Sequence, residues 1–597
     1  MTIETVKEYY VELIETEKKK LVKIKKQIFQ VGTLRLLLVL GCCIACYLLW
    51  GNAGIITVVI LISLLFFLFL LKYHNRLFIK RKYYELKIAN AENELKGLDY
   101  DFSAFDGAAD KIDGTHSFSL DLDIFGNHSF FQSINRTVTN RGRDKLANTV
   151  LSPLECKDAI VERQNAIQEL SWNPKLLAHF RALGQSSETN DLDIHGFSEQ
   201  FVGNEPYQKS AWRFAPYLSF LVAVVAIVLY VIDIIPSTTL IVIWVILISI
   251  TSIPLKKLKN KLDFLQKKLD TLQTYSNLFK IIETEKFESP LLIHLQKKVK
   301  GQTTASSSIG QLKKYSDNLF QSFTIPGILI FNPLIAWCIL YSIKIEKWIA
   351  LHKDDLKNWF DAISLFDSLV SLSVFAYNHP DYNYPQVVAD FVFEAKDLGH
   401  PMLNRDICVR NDVNINKHPF FLVVTGANMA GKSTYLRTVG LNHMLAGIGA
   451  PVCATSLRFY PSRLITNLRT SDSLADNESY FFAELKRLKM IIDRLQAGEQ
   501  LFIILDEILK GTNSEDKQKG SIALMKQLVA LNGNGIIATH DLILGNLEKE
   551  YPDAVKNYRF EADIKDEHLS FTYKIREGIA QNMNACFLMR KMGITGL

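Results

Sequence analysis

Long apolar runs alternate with soluble stretches along the chain. Residues 34–50 and 55–71 are almost wholly apolar, and only a short glycine-containing linker separates them. Each run has close to the length that a helix needs to cross a bilayer. The pattern therefore predicts a transmembrane hairpin over residues 34–72, and a second pair of apolar runs predicts another over residues 214–254. A buried pair of helices in a large soluble core is the alternative interpretation for either hairpin.

Basic residues flank both hairpins. Residues 1–33 mix apolar positions with clustered lysines, which predicts an amphipathic helix leading to a membrane surface. More basic residues follow the hairpins directly, at Lys72, Arg76, Lys80, Arg81 and Lys82 and at Lys256, Lys257, Lys259 and Lys261. By the positive-inside rule, these flanks lie in the cytoplasm. We therefore expect a multi-pass protein of the cell (inner) membrane, held in the lipid bilayer by four transmembrane helices, with its soluble parts in the cytoplasm.

Two further apolar patterns follow the second hairpin. Leucines three and four residues apart predict a heptad helix that faces a helical partner, at Leu255, Leu258, Leu262, Leu265, Leu269 and Leu272. Residues 325–343 are also apolar, but they include two prolines, Pro326 and Pro333. A fifth crossing would place the C-terminal part of the chain outside the cell. We therefore expect a buried soluble helix there instead.

The most specific local pattern lies near residue 430. The β-branched and aromatic residues 420–424 predict a buried parallel strand that leads directly into a glycine-rich loop and a helix. Gly426 and Gly431 would let backbone N–H groups approach a polyphosphate, Lys432 would reach its terminal phosphates, and Ser433 would hold Mg²⁺. A glycine-rich turn that binds nothing is the alternative.

Acidic and polar residues follow two later strands. The apolar run 501–505 ends in Asp506, a candidate Mg²⁺ ligand, and Glu507, which would orient or deprotonate an attacking water. The run 535–539 predicts a strand that is followed by His540. This histidine would sense the γ-phosphate or the water, and a surface histidine without such a role is the alternative. Ser479 precedes an amphipathic helix and is a candidate phosphate donor to the site of a second copy, or only a helix cap.

Composition adds little to this picture. The net charge of +6 is small for 597 residues. Eight cysteines are scattered, and Cys43 and Cys46 have the spacing of half a zinc site without a second pair. Packing is the better interpretation, and the protein is expected to work in a reducing compartment. The charged start of the chain does not have the pattern of a cleavable signal peptide.

Taken together, these segments resemble the MutS family of DNA mismatch repair ATPases, a branch of the ABC-type ATPases. The resemblance covers about residues 390–597 and rests on several motifs: Thr425 to Thr434 with its Asn428-Met429 pair, Gly399-His400-Pro401, Asn411-Asp412, Leu505-Asp506-Glu507 with Gly511-Thr512, Ala538-Thr539-His540, and Tyr573-Lys574-Ile575 with Gly578. More weakly, segments within residues 123–164 and 360–385 resemble the helical core of the family. Nothing before residue 100 resembles its mismatch-reading domain, and Asn477 stands where the family usually has glycine.

The resemblance implies an architecture. It implies an α/β ABC-type P-loop ATPase domain over residues 389–597, preceded by an all-α helical core, or lever, domain that the transmembrane hairpins interrupt. A linker helix and the first part of that core would occupy residues 73–213, and the heptad helix and the remainder of the core residues 255–388. It also implies that Asn428, Met429 and Thr434 contact the nucleotide with the other loop residues.

The resemblance also implies an activity. It implies ATP and Mg²⁺ as ligands, a homodimer with two composite sites, and double-stranded DNA as a partner. The function expected from the sequence is a membrane-anchored ATPase that uses ATP to change the conformation of a dimer on DNA, in repair or recombination. The alternative is a membrane mechanoenzyme or scaffold that kept the ATPase and acts on a protein. An ABC transporter is disfavoured, because the four apolar helices interrupt a soluble core.

Overall fold

The computed structural model describes residues 1–186, 211–301, 303–427, 429–469, 480–510, 512–565 and 568–581. Asn428, Asn477, Ser479 and Gly511 lie outside the described residues, and so do the leucine side chains of the predicted heptad before Leu272. The helices of the first two thirds of the chain are α1 Ile3–Leu48, α2 Ala53–Leu98, α3 Phe130–Ile134, α4 Asn140–Leu151, α5 Lys157–Ser171, α6 Pro174–Gly184, α7 Ala215–Val231, α8 Ser237–Thr284, α9 Pro290–Lys300, α10 Ala305–Gln321, α11 Asn332–Ile335 and α12 Trp337–Asn378.

The first two helices form one long hairpin. Each contains 46 residues and is therefore about 69 Å long, more than twice the apolar thickness of a bilayer. In the most apolar part of each helix only 6% of the residues are buried. The other end of the hairpin packs on the body of the protein through a small apolar cluster of Val6, Tyr10, Ala91, Leu98 and Tyr377.

A buried ion cluster joins this hairpin to the helical core. Glu94 of α2 is fully buried and accepts hydrogen bonds from Arg136 Nε at 2.7 Å and Asn378 Nδ2 at 2.8 Å. Arg181 Nη1 lies 2.6 Å from the same carboxylate. Tyr10 of α1 completes the cluster by donating its hydroxyl hydrogen to Asn378 Oδ1 at 2.8 Å. The hairpin is therefore anchored to the end of α12, immediately before the C-terminal domain begins.

The central helix of the core is α12, which α4, α5, α9 and α10 surround. By length and composition it is one of four described helices able to cross a membrane, with α1, α2 and Trp212–Val231. However, 83% of the residues in its apolar window are buried, against 22% for Trp212–Val231. Its side chains thus form the core of the protein. The described apolar start of α8, Ser237–Thr251, is shorter and returns beside α7.

The prediction of a buried helix over residues 325–343 is half right. Cys338 and Ile339, at the start of α12, are fully buried. The preceding π-helical turn, Gly327–Phe331, lies outside the core, and Leu329 and Ile330 are about half exposed. The preceding helix α10 ends at Gln321, and Ala336, with a positive φ of 45°, separates α11 from α12.

The C-terminal domain is built on mixed β-sheets. The strands are β1 Gln386–Val387, β2 Phe393–Leu398, β3 Asn411–Ile415, β4 Phe420–Gly426, β5 Ser456–Phe459, β6 Arg463–Asn467, β7 Leu501–Asp506, β8 Asn534–Thr539, β9 Val555–Phe560, β10 Ala562–Lys565, β11 His568–Phe571 and β12 Arg576–Glu577. The helices among them are α13 Lys432–Gly447, α14 Tyr480–Gln496, α15 Ser514–Ala530 and α16 Leu547–Glu550.

The main sheet has the order β12-β9-β4-β8-β7-β6, in which only β12 runs antiparallel to its neighbour. Strands β4, β7 and β8 are buried along their whole length, as the continuous apolar runs predict for central parallel strands. A second sheet, β1-β5-β2-β3, lies beside it. A helical N-terminal region followed by an α/β domain agrees with the fold class expected from the sequence.

Candidate functional site

The glycine-rich loop joins β4 to α13, at the carboxyl end of the central strand. Gly431 caps α13 with a positive φ of 104°, which favours glycine. At Gly426 a Cβ atom would lie 2.5 Å from the carbonyl oxygen of Phe560, so the backbone needs glycine there as well. The two glycines let the chain turn from the buried strand into the helix and leave the N-terminus of α13 facing a cavity.

Lys432 lies almost buried in this loop. Its side chain is 5% exposed, and Nζ donates hydrogen bonds to the carbonyl oxygens of Gly426 at 2.6 Å and Ala427 at 2.9 Å. Burial lowers the pKa of Lys432, and the nearby carboxylates of Glu507 and Asp506 oppose that shift. A largely desolvated ammonium group at a helix N-terminus is well suited to an anion.

Ser433 and Asp506 meet across the ends of neighbouring elements. Ser433 Oγ donates a hydrogen bond of 2.6 Å to Asp506 Oδ2. The other oxygen, Oδ1, is buried and accepts no hydrogen bond from any described residue. Burial raises the pKa of Asp506, since a buried carboxylate without a full set of partners resists ionisation. The pair therefore has an unused oxygen of the kind that a hard cation binds.

Ser433 and Asp506 supply only a few of the ligands that a metal ion needs. Among the described residues, no group of three or more His, Cys, Asp or Glu side chains is arranged to hold a metal ion. Mg²⁺ does not require such a cage, because it usually binds one or two protein oxygens together with substrate phosphates and water. Ser433 and Asp506 therefore fit Mg²⁺ that arrives with a nucleotide.

Glu507 and His540 lie side by side at the ends of β7 and β8. Glu507 has a positive φ of 48°, and its N–H donates to the carbonyl of Ala538 at 2.9 Å. Its Oε1 lies 3.4 Å from His540 Nδ1, and its Oε2 lies 3.6 Å from Lys510 Nζ. Burial raises the pKa of Glu507, but Lys510, His540 and Lys432 outweigh burial and leave it lowered. Glu507 is therefore an ionised carboxylate at the edge of the cavity.

Glu484 is a buried residue of the site to which the sequence assigns no role. It is 2% exposed on α14, and its carboxylate accepts hydrogen bonds from the N–H groups of Leu509 at 2.6 Å and Lys510 at 3.2 Å. These bonds hold the turn that follows Glu507, in which Leu509 also has a positive φ of 59°. Helical spacing offered a signal, because Glu484 falls four residues before the buried Leu488, on the apolar face of the helix.

A cavity of about 510 Å³ connects these groups. Its lining includes the polar residues Lys432, Ser433, Thr434 and Glu507 and several apolar and aromatic residues, among them Leu403, Ile407, Phe560 and Tyr573. Met429 also lines it and is 78% exposed. An ammonium group and aromatic rings in the same cavity match a ligand that carries both phosphates and a flat ring.

Tyr573, one of the aromatic residues that line the cavity, belongs to a segment near the C-terminus. Asn411, at the start of β3, donates its Nδ2 hydrogen to the carbonyl of Tyr573 at 2.9 Å and accepts the N–H of Ile575 at 2.9 Å. Tyr573 lies over the loop, and a Cβ added at Gly431 would be 3.1 Å from its ring. One asparagine side chain thus holds the segment across the phosphate loop.

The structure thus brings together most of the residues that the sequence singled out. The cavity is lined by Met429, Gly431, Lys432, Ser433, Thr434 and Glu507. Asp506 contacts this lining by accepting a hydrogen bond from Ser433, and His540 contacts it through Glu507, 3.4 Å away. Gly426 closes the loop behind Lys432. Asn428 and Ser479 are outside the described residues, so their assignments stay predictions.

Known proteins resemble the same part of the chain. The sequence profile of MutS domain V matches residues 422–592. A DNA mismatch repair protein MutS from Carboxydothermus hydrogenoformans is 30% identical over 258 residues, which cover 42% of this chain and 30% of that protein. The MutS protein homolog 4 of Homo sapiens is 30% identical over 251 residues, which cover 40% of this chain and 26% of that protein.

The match covers less than a third of the length of each of these relatives. In another MutS protein, from Thermotoga maritima, the 248 matching residues cover 41% of this chain and 30% of that protein. The described site residues from Gly426 to His540 all fall within the matched range 422–592. The C-terminal part of this chain is therefore similar to MutS domain V, the ATPase domain of the MutS family, and the chain spans about a third or less of the length of these relatives.

Proposed function

We propose that the protein is a membrane-anchored, Mg²⁺-dependent ATP hydrolase whose nucleotide cycle changes the conformation of a homodimer bound to double-stranded DNA. One observation supports the hydrolase above all others. A single cavity is lined by Lys432 with its largely desolvated ammonium group, by Ser433, and by the ionised Glu507, and Ser433 donates a hydrogen bond to Asp506, whose other oxygen is unused.

Each residue of the cavity has a role in this proposal. Lys432 exchanges its two loop carbonyls for phosphate oxygens when ATP binds, and Thr434 adds a hydroxyl donor beside it. Ser433 and Asp506 hold Mg²⁺, which neutralises phosphate charge when it is bound. Gly426, Asn428, Met429 and Gly431 shape the loop around the nucleotide. The binding free energy comes from charge and from backbone N–H groups that are already in place.

The remaining polar groups act on the attacking water. The ionised Glu507 accepts a hydrogen from that water and orients it, and His540, 3.4 Å away, interacts with the same carboxylate. Glu484 holds the turn after Glu507 and is a positioning residue. Ser479 of one subunit would donate to the phosphate in the other subunit, so that ATP closes the dimer and hydrolysis opens it.

Membrane anchoring is supported by the exposed apolar helices. The apolar windows of α1 and α2 are almost entirely unburied, and Trp212–Val231 is mostly unburied too. Large exposed apolar surfaces of this kind are rare on soluble monomers and need a covering. We propose that a bilayer covers them and that the ATPase domain lies in the cytoplasm, where ATP is available.

The coupling to DNA is tested by ATP hydrolysis of the full-length protein in lipid nanodiscs. The rate is measured without DNA and with homoduplex, mismatched and branched DNA at two salt concentrations. We expect DNA to change the rate and salt to suppress the change, because phosphate contacts release counterions. Indifference to every DNA at both salt concentrations would contradict the DNA part of the proposal and leave the hydrolase part standing.

A protein partner in the membrane is the second candidate. It is favoured by the buried cluster of Glu94, Arg136, Arg181 and Asn378, which joins the α1–α2 hairpin to the end of α12. In that case the nucleotide cycle would move the hairpin against a membrane protein. Hydrolysis would then ignore DNA, and deletion of either hairpin would change its regulation.

A further inference from the structure

A short excursion of the chain leaves the helical core between α10 and α11. Asn332 Nδ2 donates to the carbonyl of Ser322 at 3.0 Å, and its Oδ1 accepts the N–H of Cys338 at 3.2 Å. Ser322 and Asn332 are fully buried. The chain therefore departs from the core at Ser322 and returns to it at Asn332. Residues 324–331, which include the π-helical turn Gly327–Phe331, form a loop whose two ends meet at this buried contact.

The surface of this loop is apolar. Ile325 is 74% exposed, Leu329 50%, Ile330 52% and Phe331 38%. Residues 324–343 contain no Asp, Glu, Lys or Arg. Apolar surface is unfavourable in water in proportion to its area, so the exposure of all four side chains together in water would be costly. An apolar environment would remove that cost.

The loop lies against the second hairpin. Ser219 of α7 donates its hydroxyl hydrogen to the carbonyl of Pro333 at 2.6 Å, and Trp244 of α8 donates Nε1–H to the carbonyl of Leu329 at 2.8 Å. Farther back along α8, Cys338 Sγ contacts the carbonyl of Thr251 at 3.5 Å. Trp244 precedes Thr251 by seven residues, which is about 10 Å along a helix axis. Leu329 therefore lies about 10 Å farther along the apolar hairpin than Cys338 does.

Several backbone polar groups of the loop have hydrogen-bond partners within the protein and do not need water. Pro333 has no N–H, so it cannot donate to the carbonyl four residues earlier, which is that of Leu329. The indole of Trp244 supplies a donor to that carbonyl. At the start of the loop, the Thr324 hydroxyl accepts the N–H of Gly327 at 3.3 Å, and the Thr324 carbonyl accepts that of Ile328 at 2.9 Å. Helical backbone that proline interrupts at membrane depth needs such partners.

We infer that residues 324–331 form a re-entrant segment that inserts among lipid acyl chains beside the second hairpin. This inference rests on the proposed membrane anchoring and adds a fifth apolar element to it. Because the segment enters and leaves on the same side, the number of crossings stays even and the ATPase domain stays in the cytoplasm. Acyl chains are the occupant that matches both the apolar surface of the loop and its continuity with the exposed face of α7, where Leu221 is 60% exposed.

The test places an environment-sensitive fluorescent amino acid at one position at a time in the full-length protein. Position 330 samples the loop, position 221 samples α7 as the membrane reference, and position 351 samples the 75% exposed Leu351 of α12 as the aqueous reference. Each variant must keep the rate of ATP hydrolysis of the wild type. The proteins are placed in phosphatidylcholine nanodiscs, with a nitroxide on the acyl chains as one quencher and aqueous iodide as the other.

We expect positions 330 and 221 to be quenched by the nitroxide lipid and to show a several-fold smaller iodide quenching constant than position 351. Iodide quenching at position 330 with lipid quenching at position 221 would overturn the inference and leave the anchoring intact. Protection of position 330 from both quenchers would also overturn it, since a second copy or another protein would then cover the loop. If position 221 also fails to contact lipid, the proposed anchoring itself is wrong.

Discussion

Replacing Glu484 with alanine should slow ATP hydrolysis while leaving nucleotide binding almost unchanged. The carboxylate accepts the N–H groups of Leu509 and Lys510 from a buried position on α14. Without it, the turn that follows Glu507 loses both of its acceptors. The loop with Lys432 and Ser433 does not contact Glu484 through any of these bonds and should still bind ATP.

The size of the effect follows from those two hydrogen bonds. A hydrogen bond to a charged group contributes about 1.5–3 kcal/mol, so two contribute about 3–6 kcal/mol. Water that enters the space left by the side chain recovers part of this. If about 2 kcal/mol remains, the population of turns with Glu507 correctly placed falls about thirtyfold. We expect kcat to fall by about that factor and the Kd for ATP to change little.

The assay combines steady-state hydrolysis with binding of a fluorescent ATP analogue. Glu484→Gln should give an intermediate rate, because the amide keeps one acceptor oxygen. Asp493→Ala is the matched control on the same helix, since Asp493 is about half exposed and pairs with Lys489 at the surface. A wild-type kcat in Glu484→Ala would refute the reasoning, and a parallel loss of ATP binding would place the role of Glu484 elsewhere.

Further predictions concern nucleotide binding, metal dependence, anchoring and pH. Lys432→Ala should abolish binding of the fluorescent analogue, because it removes the desolvated ammonium group of the cavity, and EDTA should stop hydrolysis by the wild type. Glu94→Ala leaves Arg136 and Arg181 as buried unpaired cations, so it should cost about 3–5 kcal/mol and accelerate hydrogen exchange in α1, α2 and the end of α12. Burial lowers the pKa of His443 to about 3, so the unfolded state binds its proton first as the pH falls. The stability that neutral His443 contributes is complete above about pH 6.5 and decreases by about 1.4 kcal/mol at pH 5.5, as thermal unfolding should show.

Each of these has its own contradicting result. Tight nucleotide binding by Lys432→Ala would move the phosphate site away from this loop. Exchange in α1 and α2 that is unchanged in Glu94→Ala would mean that the apolar cluster alone anchors the hairpin. For the pH prediction, His443→Gln is the control, because it keeps a polar group beside Ser462, 3.1 Å from the imidazole. An equal loss of stability in His443→Gln would assign the acid sensitivity to other groups.

The sequence indicates where the candidate site residues lie because they belong to short local patterns. Gly426, Lys432 and Ser433 stand within one strand-loop-helix unit, and Asp506 directly ends a buried strand, so short-range patterns indicate their positions. The parallel order of β4, β7 and β8 then brings them together. The apolar hairpin α1–α2 is likewise predicted from run length alone.

What the sequence misses depends on long-range packing. The roles of Glu484 and Asn411 follow from partners 25 and 162 residues away, respectively. The buried cluster of Glu94 and Arg136 joins elements that no periodicity connects. Run length also does not separate the two halves of residues 325–343. Other helices cover the start of α12, whereas the apolar side chains just before it are about half exposed. Hydropathy is a property of one segment of the sequence, whereas burial depends on which other elements of the fold pack against that segment.

The central claim is that this cavity hydrolyses ATP with Glu507 as the catalytic carboxylate. The most direct measurement is single-turnover hydrolysis of Mg²⁺-ATP by the full-length protein in nanodiscs, comparing the wild type with Glu507→Gln. The account predicts that the wild type releases phosphate, whereas Glu507→Gln binds ATP and retains it unhydrolysed in a closed dimer. Hydrolysis by Glu507→Gln at the wild-type rate would contradict that role, and no hydrolysis by either protein would contradict the assignment as an ATPase.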